Sequence, residues 1–566
     1  MRDVRSIKSF SDAKVSVKFF AGSDFIVDAQ GNEIKSYNFI PSYWMLKTFY
    51  KTYGKHADEI RWLPCEFDFL WSVKTMVEKI KQEKLQVACF GFYVWNVFPY
   101  INFIQKIKQE MPETIIIGGG PSATDEQVLE NVDFCVYGDG EEAFTNLLDA
   151  LIDKEDLSKI PNLIYNENGI KKTLHKRFQH KNFSLPSPYL NNKEEILESI
   201  DNFKATFGEK MFGVGWEKSR GCPYKCSFCD WSSGLHHKVS RVGQDWKQEL
   251  EFILSMEASI NITDANFGLI KDDEDVVDYL LNRKTPPFVI AKQYSMNKET
   301  RFPLSEISWS KLKKDVVYRI IKKILEKHPD YIIKISLQDI HEDVLESIDR
   351  PDAPWEEHKV YLQDVLKVYP NTYFMVELMV GLPNQTLDKW IDTLTQIDNV
   401  INNKEPRIAW VAAYLWTLLP NSPAYKKDYK TRYDLTVTSV KEMRPDISRK
   451  IVSKRDLFFA KRQEILWKDW NIVHCNGKEG LKKSLLMEAI AQIINAKLTY
   501  KHLKNKSFLE IYEKKGSYIK QEIDLQFKRI EAEKTPHLFV LKQNIMRSFK
   551  TYFTSSVFWE QKEMQF

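Results

Sequence analysis

The sequence predicts an α/β protein in which a doubly wound, Rossmann-like sheet precedes a second α/β region and a helical C-terminal region. Strand-like and helix-like runs alternate with short turns over 1–165, as is typical of parallel sheets with helices on both faces. A second series of strand-like runs occupies 210–425, after a linker at 166–209. Apolar residues at helical spacing dominate 426–566, over 455–467, 480–497, 508–514 and 519–533, with irregular stretches at 515–517 and 552–560. We therefore expect three domains with these boundaries.

The first predicted domain contains five strand-like and four helix-like runs. The strand-like runs are Val15–Phe20, Glu59–Leu63, Val87–Val94, Thr114–Gly118 and Phe134–Tyr137. The helix-like runs are Tyr43–Tyr53, Val73–Gln82, Tyr100–Glu110 and Glu142–Leu151. Ligands of doubly wound sheets lie beyond the carboxyl ends of the strands, so those ends are where a site is expected.

Glycine-rich turns follow these strands. They read Phe90-Gly-Phe-Tyr-Val-Trp-Asn96, Gly118-Gly-Gly-Pro-Ser122 and Gly138-Asp-Gly-Glu-Glu142. Because glycine has no Cβ, a large flat ligand can approach the backbone closely at such turns. A dinucleotide site would need G-x-G-x-x-G at a helix start, which is absent here. The turns therefore predict a different ligand, and the alternative is a Rossmann-like domain without a cofactor.

The second region opens with three closely spaced cysteines, Cys222, Cys226 and Cys229, in a C-x3-C-x2-C pattern. Structural zinc sites use four ligands, commonly from paired C-x2-C arms. Bacterial ferredoxins offer a fourth nearby cysteine, whereas the next one here is Cys475. Three thiolates can hold three irons of a [4Fe-4S] cluster and leave the fourth iron open. An open iron implies a small-molecule ligand, and hence chemistry rather than electron storage.

The cysteine pattern resembles that of the radical S-adenosylmethionine (SAM) superfamily, in which the open iron chelates the amino and carboxylate groups of SAM. The resemblance implies a partial (β/α)6 barrel over 210–425. Its six strands would be Met211–Trp216, Ile260–Gly268, Pro287–Lys292, Tyr331–Gln338, Thr372–Val380 and Arg407–Leu419. The turn Gly381–Thr386 is similar to the family's G-L-P-G-Q-T, with Asn384 in place of glycine.

The same resemblance implies which residues surround SAM. Phe228 corresponds to the aromatic residue that lies against the adenine. Gln338 and Arg350 match a Q-x11-R pattern of the coproporphyrinogen-oxidase-like branch, and an arginine can fork onto a carboxylate. The full set of implied SAM contacts is Phe228, Asp264, Asn266, Ser336, Gln338, Arg350, Val380, Gly381 and Leu382.

The glycine-rich turns resemble those of the cobalamin-binding domain fused ahead of many radical SAM enzymes, with Gly138-Asp-Gly-Glu departing mildly from G-E-G-E. The implied cobalamin contacts are Tyr93, Trp95, Asn96, Gly118, Gly119, Gly120, Pro121, Gly138, Gly140 and Glu141. The D-x-H-x-x-G motif, whose histidine ligates cobalt, does not occur before residue 165. We therefore expect no protein histidine beneath the cobalt, with Trp95 on its lower face.

Together these motifs resemble a cobalamin-dependent radical SAM enzyme over about 60–425. The resemblance implies methylation of an unactivated carbon through a 5′-deoxyadenosyl radical and methylcobalamin. It also implies an electron donor such as flavodoxin or ferredoxin. One alternative is a cobalamin-using enzyme that catalyses a rearrangement or cyclisation. Another is a binding or sensor protein with a structural cluster. The substrate, a small molecule or a peptide, is not determined by the sequence.

Composition and charge bound the remaining possibilities. Residues 426–566 carry 30 Lys and Arg against 17 Asp and Glu, whereas the rest carries 52 against 61. The basic C-terminal region predicts an anionic substrate or partner and a module that covers the barrel mouth. Nucleic acid is not expected, since no RNA-recognition motif occurs. Seven cysteines and the lack of an apolar signal sequence or membrane-length run indicate the cytoplasm.

Overall fold

A computed structural model places most of the chain in α/β domains. It describes residues 1–8, 10, 14–20, 26–27, 33–34, 37–39, 41–64, 73–93, 96–176, 185–207, 212–230, 240–241, 245–256, 259–265, 267–268, 272–282, 308–309, 314–329, 331–350, 354–401, 408–442, 468–475, 477–499 and 503–531.

The N-terminal part contains ten strands and six helices within those residues. Its strands are β1 (Val15–Phe20), β2 (Ile26–Val27), β3 (Glu33–Ile34), β4 (Tyr37–Phe39), β5 (Ile60–Trp62), β6 (Val87–Gly91), β7 (Ile115–Gly119), β8 (Phe134–Val136), β9 (Leu163–Asn166) and β10 (Ile170–Lys172). Its helices are α1 (Pro41–Tyr53), α2 (Val73–Gln82), α3 (Val97–Glu110), α4 (Glu126–Asn131), α5 (Glu141–Asp153) and α6 (Lys193–Phe207).

The main N-terminal sheet has the strand order β5-β1-β6-β7-β8-β9-β10. The first five strands are parallel, with Val17 opposite both Trp62 and Val87, whereas β9 and β10 run antiparallel at one edge. This is the flavodoxin-like order, whose switch point lies between β1 and β6. Ligand binding is expected in the crevice beyond the carboxyl ends of those two strands.

Helices cover both faces of this sheet. Val17 and Phe19 of β1 pack in one apolar core with residues of α1 and α5, including Phe144. Phe20 and Phe90 face the opposite side and pack with residues of α2, α3 and α4. Alternate residues of a strand point to opposite faces, so nearly continuous apolar strands suit a sheet buried on both sides. The predicted doubly wound fold class is confirmed.

The middle part contains the predicted barrel strands. Its strands are β11 (Phe212–Trp216), β12 (Ser219–Arg220), β13 (Ser240–Arg241), β14 (Ser259–Ile262), β15 (Ser308–Trp309), β16 (Ile332–Gln338), β17 (Tyr373–Val380) and β18 (Ile408–Leu415). Its helices are α7 (Trp246–Ser255), α8 (Asp272–Leu281), α9 (Lys314–Lys327), α10 (Glu342–Ser347), α11 (Trp355–Val368) and α12 (Leu387–Ile401).

These strands form two parallel groups, β4-β11-β14 and β15-β16-β17-β18. Short β15 lies beside β16, next to the position expected for the third barrel strand. The predicted third strand at 287–292 lies outside the described residues. Buried Phe374, Val376 and Leu378 of β17 pack against the flanking helices, while the alternate residues on the opposite face are half-buried.

One strand crosses the predicted domain boundary. Tyr37–Phe39, which lies within the segment assigned to the first domain, pairs in parallel with Phe212–Val214 of β11. The chain therefore leaves the N-terminal sheet after β1, adds β4 to the barrel sheet, and returns through α1 to β5. The predicted domain boundaries, which follow the order of the sequence, therefore do not describe this segment, because its strand β4 lies in the barrel sheet.

The C-terminal part combines a hairpin with long helices. Its elements are α13 (Lys427–Arg432), β19 (Leu435–Glu442), β20 (Lys468–Cys475), α14 (Gly477–Thr499) and α15 (Phe508–Glu531). The antiparallel β19–β20 pair was not expected from the helical pattern. The predicted break at Lys515–Ser517 is wrong, because α15 continues through Gly516. Two predicted segments, 455–467 and 552–560, lie outside the described residues.

The described C-terminal helices pack mainly against the outer face of the barrel sheet. Ile490 of α14 and Phe508 and Ile519 of α15 share an apolar core with Ile333 and Phe374 of the barrel strands. At the carboxyl ends of the strands, the Val473 N–H of β20 donates to the Trp416 carbonyl at 2.8 Å, and Lys483 of α14 donates to the Gln385 carbonyl at 2.7 Å. Covering of the barrel mouth by residues 426–566 stays a prediction. Within the described residues, none of the helices is both long and apolar enough to cross a membrane.

Candidate active site at the domain junction

The three cysteines lie on a loop that follows β11 and β12. None of them is in a disulfide, and Cys222 and Cys226 are buried while Cys229 is half-buried. Cys222 and Cys226 pack with Tyr224, and Cys229 lies at the edge of this group. Gly221 enters the loop at a φ of 108°, a left-handed conformation that favours glycine. The backbone N–H of Cys229 donates to the carbonyl of Cys226 at 3.1 Å.

Ser227 fixes this loop to the far side of the barrel. Its N–H donates to the Ile348 carbonyl at 2.9 Å, and its carbonyl accepts from the Ala424 N–H at 2.9 Å. Its hydroxyl donates to the Tyr429 hydroxyl at 2.8 Å, which in turn donates to the Ser347 carbonyl at 2.6 Å. The turns after β16 and β18 therefore hold the middle of the cysteine loop.

The donor set of the loop fits a [4Fe-4S] cluster. Among the described residues, no group of three or more His, Cys, Asp or Glu side chains is arranged around a single metal ion. A cubane does not require such convergence, because each cysteine binds a different iron. Three cysteine thiols on one loop would supply three of the four iron ligands. For Cys475, burial raises the pKa of the thiol to about 11 and so disfavours the thiolate that binds metal.

Asp264 lies just after β14 and connects that strand to the approach of the cysteine loop. Its carboxylate accepts hydrogen bonds from the Lys218 N–H at 2.8 Å and the Ser219 N–H at 3.0 Å. The Ser219 hydroxyl also donates to it. Burial raises the pKa of Asp264 to about 6, although these hydrogen bonds oppose the rise. Its contact with SAM stays a prediction, and Asn266 lies outside the described residues.

The structure brings Ser336 and Arg350 together at the end of β16. The Arg350 guanidinium donates to the Ser336 carbonyl, and the Arg350 side chain is buried. The Ser336 hydroxyl donates to Glu377 of β17 at 2.6 Å. Gln338 ends the strand with a φ of 66° and is also buried. Three of the predicted SAM residues therefore cluster at one strand end.

The predicted Val380–Leu382 turn is held by Gln385. The Gln385 side-chain oxygen accepts from the N–H groups of Gly381 at 3.0 Å and Leu382 at 3.4 Å. Its amide nitrogen donates to Asp339 at 2.7 Å, beside the β16 end. Phe228 of the cysteine loop packs at the edge of the apolar group that contains buried Leu382. The β17 turn thus lies between the cysteine loop and the Asp339 turn.

At the end of β6, Asn96 closes the turn predicted to point at cobalamin. Its side-chain oxygen accepts from the Tyr93 N–H at 2.7 Å, and its amide nitrogen donates to the Gly91 carbonyl at 2.9 Å. Burial raises the pKa of Tyr93, and the Glu217 carboxylate from the second domain adds to this rise. Trp95 lies outside the described residues.

The other two turns are packed closely against the protein itself. Gly120 has a φ of 91°, and a Cβ there would lie 2.7 Å from the Phe92 carbonyl oxygen. A Cβ at Gly118 would lie 3.1 Å from the Phe92 and Val132 side chains. Gly138 has a φ of 74° and approaches the His175 ring. Internal packing therefore explains part of the need for glycine, and contacts with cobalamin at Gly118–Pro121, Gly138 and Gly140 stay predictions.

Comparison with known proteins assigns a family likeness to this arrangement. Residues 54–148 match the model of the B12 binding domain. A cobalamin-dependent radical SAM methyltransferase of Streptomyces tokunonensis, TokK, is 25% identical over 421 residues, covering 71% of this chain and 57% of TokK. The 2-(S-pantetheinyl)-carbapenam-3-carboxylate methyltransferase of Streptantibioticus cattleyicolor is 26% identical over 350 residues, covering 60% of this chain and 47% of the relative. The chain is similar to cobalamin-dependent radical SAM methyltransferases.

Solved structures show the same fold. The cobalamin-dependent SAM radical enzyme OxsB with aqua-cobalamin bound gives a TM-score of 0.57 at 13% identity, covering 96% of this chain and 76% of OxsB. The radical SAM methyltransferase TsrM from Kitasatospora setae gives 0.51 at 12% identity, covering 81% and 85%. The chain spans about half the length of the two curated relatives. The predicted resemblance to cobalamin-dependent radical SAM enzymes is confirmed at the level of family and fold.

In this relative of the methyltransferases, two residues that the sequence analysis did not select join the domains. Arg220, two positions before Cys222, forms ion pairs with Asp139 and Glu141 of the turn after β8. Asn421, in the turn after β18, forms hydrogen bonds to Pro121 and Thr124 of the turn after β7. The sequence held a local signal for each residue: Arg220 lies in Arg220-Gly-Cys222, at the start of the cysteine motif, and Asn421 lies in Leu419-Pro-Asn-Ser-Pro423, after the predicted sixth strand.

Glu141 has a partner that was not predicted from the sequence. Its buried carboxylate is bound to the Arg220 guanidinium, with an Nη2–Oε1 distance of 2.9 Å. Pro121 likewise uses its carbonyl oxygen to accept from Asn421 at 2.8 Å. Two residues predicted to contact cobalamin thus contact the cysteine-bearing domain, and a direct contact with cobalamin stays a prediction for both.

Proposed function

We propose that the chain is a cobalamin-dependent radical SAM methyltransferase that methylates an unactivated carbon. One observation carries the proposal: two carboxyl-edge turns of the B12-binding domain contact Arg220, which precedes the cysteine loop, and Asn421, in a turn that is bonded to this loop. A primary carbon radical would attack protein or solvent unless both cofactors faced one protected cavity. The contacts of Arg220 and Asn421 provide that proximity.

The residues at the junction support distinct roles. Cys222, Cys226 and Cys229 would hold three irons and leave the fourth to the amino and carboxylate groups of SAM. Phe228 would lie against the adenine, and Arg350 would face the polar end of SAM. When bound, the cluster and cobalamin supply the electron that cleaves SAM to a 5′-deoxyadenosyl radical and the carrier of the methyl group. The protein binds, orients and shields these groups.

We retain the predicted domains as part of the proposal. The B12-binding domain would occupy 1–165 apart from β4, the linker 166–209, the radical SAM domain 210–425, and the basic domain 426–566. β4 belongs to the N-terminal segment but pairs with β11 in the barrel sheet. This pairing supports a fixed junction, because the segment is then part of both domains. We expect that neither domain binds its cofactor in a productive geometry when expressed alone.

An anionic substrate and an external electron donor complete the proposal. Residues 426–566 carry a net charge of +13, and one relative is named for a carbapenam carboxylate substrate. A small molecule or peptide bearing a carboxylate or phosphate fits this charge. The cluster would receive its electron from a protein such as flavodoxin or ferredoxin. Cysteine ligands for a cluster favour the reducing cytoplasm as the compartment.

The test is anaerobic reconstitution of the full chain with iron, sulfide and cobalamin, followed by reaction with SAM and a low-potential reductant. We expect about four irons per chain, formation of 5′-deoxyadenosine, and formation of S-adenosylhomocysteine from methyl transfer to cobalamin. Replacing all three loop cysteines by Ala abolishes iron binding and 5′-deoxyadenosine. Cys475→Ala is the matched control and retains both. SAM cleavage by the triple variant would contradict the assignment.

The same reaction separates the alternatives. A rearrangement or cyclisation enzyme forms 5′-deoxyadenosine without S-adenosylhomocysteine. A binding or sensor protein with a structural cluster forms neither product. Either result would exclude the methyltransferase proposal while leaving the cofactor sites to be judged from iron and cobalamin content.

A further inference from the structure

Arg220 is the centre of a buried charge cluster that spans the two domains. Its Nε and Nη2 donate to Glu217 at 2.9 and 2.8 Å. Its Nη2 and Nη1 donate to Glu141 at 2.9 and 3.2 Å, and Nη1 also donates to Asp139 at 3.2 Å. Burial alone lowers the pKa of the Arg220 guanidinium, but Glu141 and Glu217 raise it well above its usual value. One fixed cation therefore joins three carboxylates.

Asn421 makes a second junction through hydrogen bonds. Its amide nitrogen donates to the Pro121 carbonyl at 2.8 Å, and its side-chain oxygen accepts from the Thr124 hydroxyl at 2.8 Å. Three residues later the Ala424 N–H donates to the Ser227 carbonyl, between Cys226 and Cys229, at 2.9 Å. The turn after β18 thus touches both the β7 turn of the B12-binding domain and the cysteine loop.

We infer that Arg220 and Asn421 are positioning residues that set the cysteine loop relative to the ligand edge of the B12-binding domain. The inference rests on the proposed function. Each residue contacts a different glycine-rich turn, Arg220 the one after β8 and Asn421 the one after β7. A single contact would leave the loop free to rotate, whereas two contacts on neighbouring strand ends fix its orientation as well as its distance.

This placement matters most for the step that involves both sites. Reductive cleavage of SAM requires only the cluster and bound SAM. Methyl transfer requires SAM and cobalt to be aligned: cobalt(I) supplies the electron pair of the new cobalt–carbon bond, and the sulfur of SAM keeps the pair of the broken bond. Because displacements of about 1 Å can cost about 10²-fold in rate, loss of a positioning contact slows the second reaction selectively.

The experiment compares Asn421→Ala and Arg220→Lys with the parent in the reconstituted full chain, using SAM, cobalamin and titanium(III) citrate. Lysine keeps the charge of Arg220 but cannot fork onto two carboxylates. We expect 5′-deoxyadenosine to form at a rate within about twofold of the parent rate. S-adenosylhomocysteine should form at least about tenfold more slowly than in the parent, because misplaced reactants lose rate by factors of this size. The control is Arg319→Gln, which breaks an exposed ion pair with Glu274 on the outer helices. Equal loss of both products would overturn the inference.

Hydrogen exchange of the protein without cofactors tests the junction independently of activity. We expect Asn421→Ala to speed exchange in two segments, 118–124 and 222–229, and Arg319→Gln to leave both unchanged. Unchanged exchange in Asn421→Ala would overturn the inference. A parent chain that forms neither SAM product would contradict the proposed function, and the exchange result would then decide the junction alone.

Discussion

At the residue scale, Arg350 shows how a predicted ligand contact is prepared by the protein. The backbone N–H of Arg350 donates to the Leu345 carbonyl at 2.9 Å, which fixes the residue after α10. Its buried guanidinium contacts the Ser336 carbonyl at the end of β16. The side chain is therefore ordered at the strand end before SAM arrives, which reduces the entropic cost of binding.

We predict that Arg350→Lys weakens SAM binding by about thirtyfold or more. An ammonium cannot make the paired hydrogen bonds of a guanidinium, and the loss corresponds to about 2 kcal/mol. The measurement is equilibrium binding of SAM to the cluster-loaded chain. Arg319→Lys, at an exposed guanidinium bound to Glu274, serves as the matched control and keeps the parent affinity. An unchanged affinity for SAM in Arg350→Lys would show that this residue does not bind SAM.

Two histidines bear on the expected absence of an imidazole beneath the cobalt. His56 binds Glu59 and Asp153 at 2.8 Å each, at the amino end of β5 and away from the ligand edge. His175 lies at the carboxyl edge, where a Cβ on Gly138 would be 2.9 Å from its Cε1. Its ring nitrogens are buried and lack a hydrogen-bond partner among the described residues. His175 is therefore the residue against which the prediction must be tested.

We predict that the cobalamin-loaded Co(II) form shows no nitrogen superhyperfine splitting from a protein ligand in electron paramagnetic resonance. His175→Ala should leave the spectrum unchanged. Splitting that disappears in His175→Ala would identify His175 as the lower ligand and show the prediction to be wrong. His56→Ala is the control, because its position at the opposite edge excludes a contact with cobalt.

At the element scale, the turn after β17 is constrained on both sides. Gly381 has a φ of 95°, and a Cβ there would lie 2.8 Å from the Val473 carbonyl oxygen of β20. Val473 also donates its N–H to the Trp416 carbonyl at 2.8 Å. The C-terminal strand therefore packs onto the predicted SAM turn, which couples the fold of the last domain to the site.

Gly381→Ala tests this coupling, with Gly169→Ala as a matched control. Gly169 also has a positive φ, 118°, but its Cβ position meets nothing within 4 Å. The control should lose only the backbone cost of about 1–2 kcal/mol. Gly381→Ala adds a clash with backbone, so we expect a larger fall in melting temperature together with weaker SAM binding. Similar melting temperatures for the two variants would contradict the predicted contact.

His341 makes the neighbouring turn sensitive to pH. Its ring binds Asp339 at 2.9 Å and Asp392 at 3.1 Å. The hydrogen bond that the His341 ring donates to Asp339 raises the pKa of His341, against the effect of burial, and Asp392 adds to the rise. Because the pKa of His341 is higher in the folded state, the protonated ring stabilises the fold at pH values below the unfolded pKa of about 6.5. This stabilisation disappears as pH rises through the folded pKa.

We therefore expect the melting temperature of the parent to fall relative to that of His341→Gln as the pH rises from about 6 to about 8, the range in which histidine titrates. Thermal unfolding at several pH values measures the difference. Asp392→Asn should reduce the dependence, since it removes one of the two carboxylates. A constant difference between parent and His341→Gln across this range would contradict the role of the ring.

Elements that are decided by residues close in sequence were predicted more accurately than elements that depend on distant residues. Val15–Phe20 and Val73–Gln82 were predicted with the bounds that the structure has, because local apolar periodicity decides them. The β19–β20 pair was missed because its partner strands are far apart in sequence. The helix through Gly516 was missed because packing of Ile511 and Ile519 in the core overrides a poor local propensity.

For the site, the cysteine loop could be predicted because its spacing is local. The pairing of Arg220 with Glu141 could not, since the two residues are 79 positions apart and meet only across the domain junction. The contribution of β4 to the barrel sheet was missed for the same reason, as residues 37–39 pair with 212–214. The local pattern of a three-residue strand does not indicate which strand it pairs with.

At the scale of the whole molecule, charge is separated along the chain. The C-terminal 426–566 region carries +13 and the remainder −9. The described helices α14 and α15 pack mainly on the outer face of the barrel sheet. We expect the basic charge to act as a long-range field, which steers an oppositely charged partner during encounter and is weakened by salt.

We predict that an acidic flavodoxin reduces the cluster more slowly as salt rises. Between ionic strengths of about 0.01 and 0.1 M the screening length falls from about 30 to about 10 Å, so attraction by a distant basic surface is lost over this range. Stopped-flow measurement of cluster reduction should show a falling second-order rate constant. A neutral photoreductant is the control, because a neutral molecule feels no net attraction and its rate should stay constant.

Charge reversal at the described basic residues sharpens the same test. Lys482 is paired with Asp524 at 2.7 Å across α14 and α15, whereas Lys18 pairs with Glu83 in the B12-binding domain. Lys482→Glu should lower the flavodoxin rate at low salt and flatten its salt dependence, and Lys18→Met should change neither. The basic region would be excluded as the docking field if Lys482→Glu kept both the rate and the salt dependence of the parent.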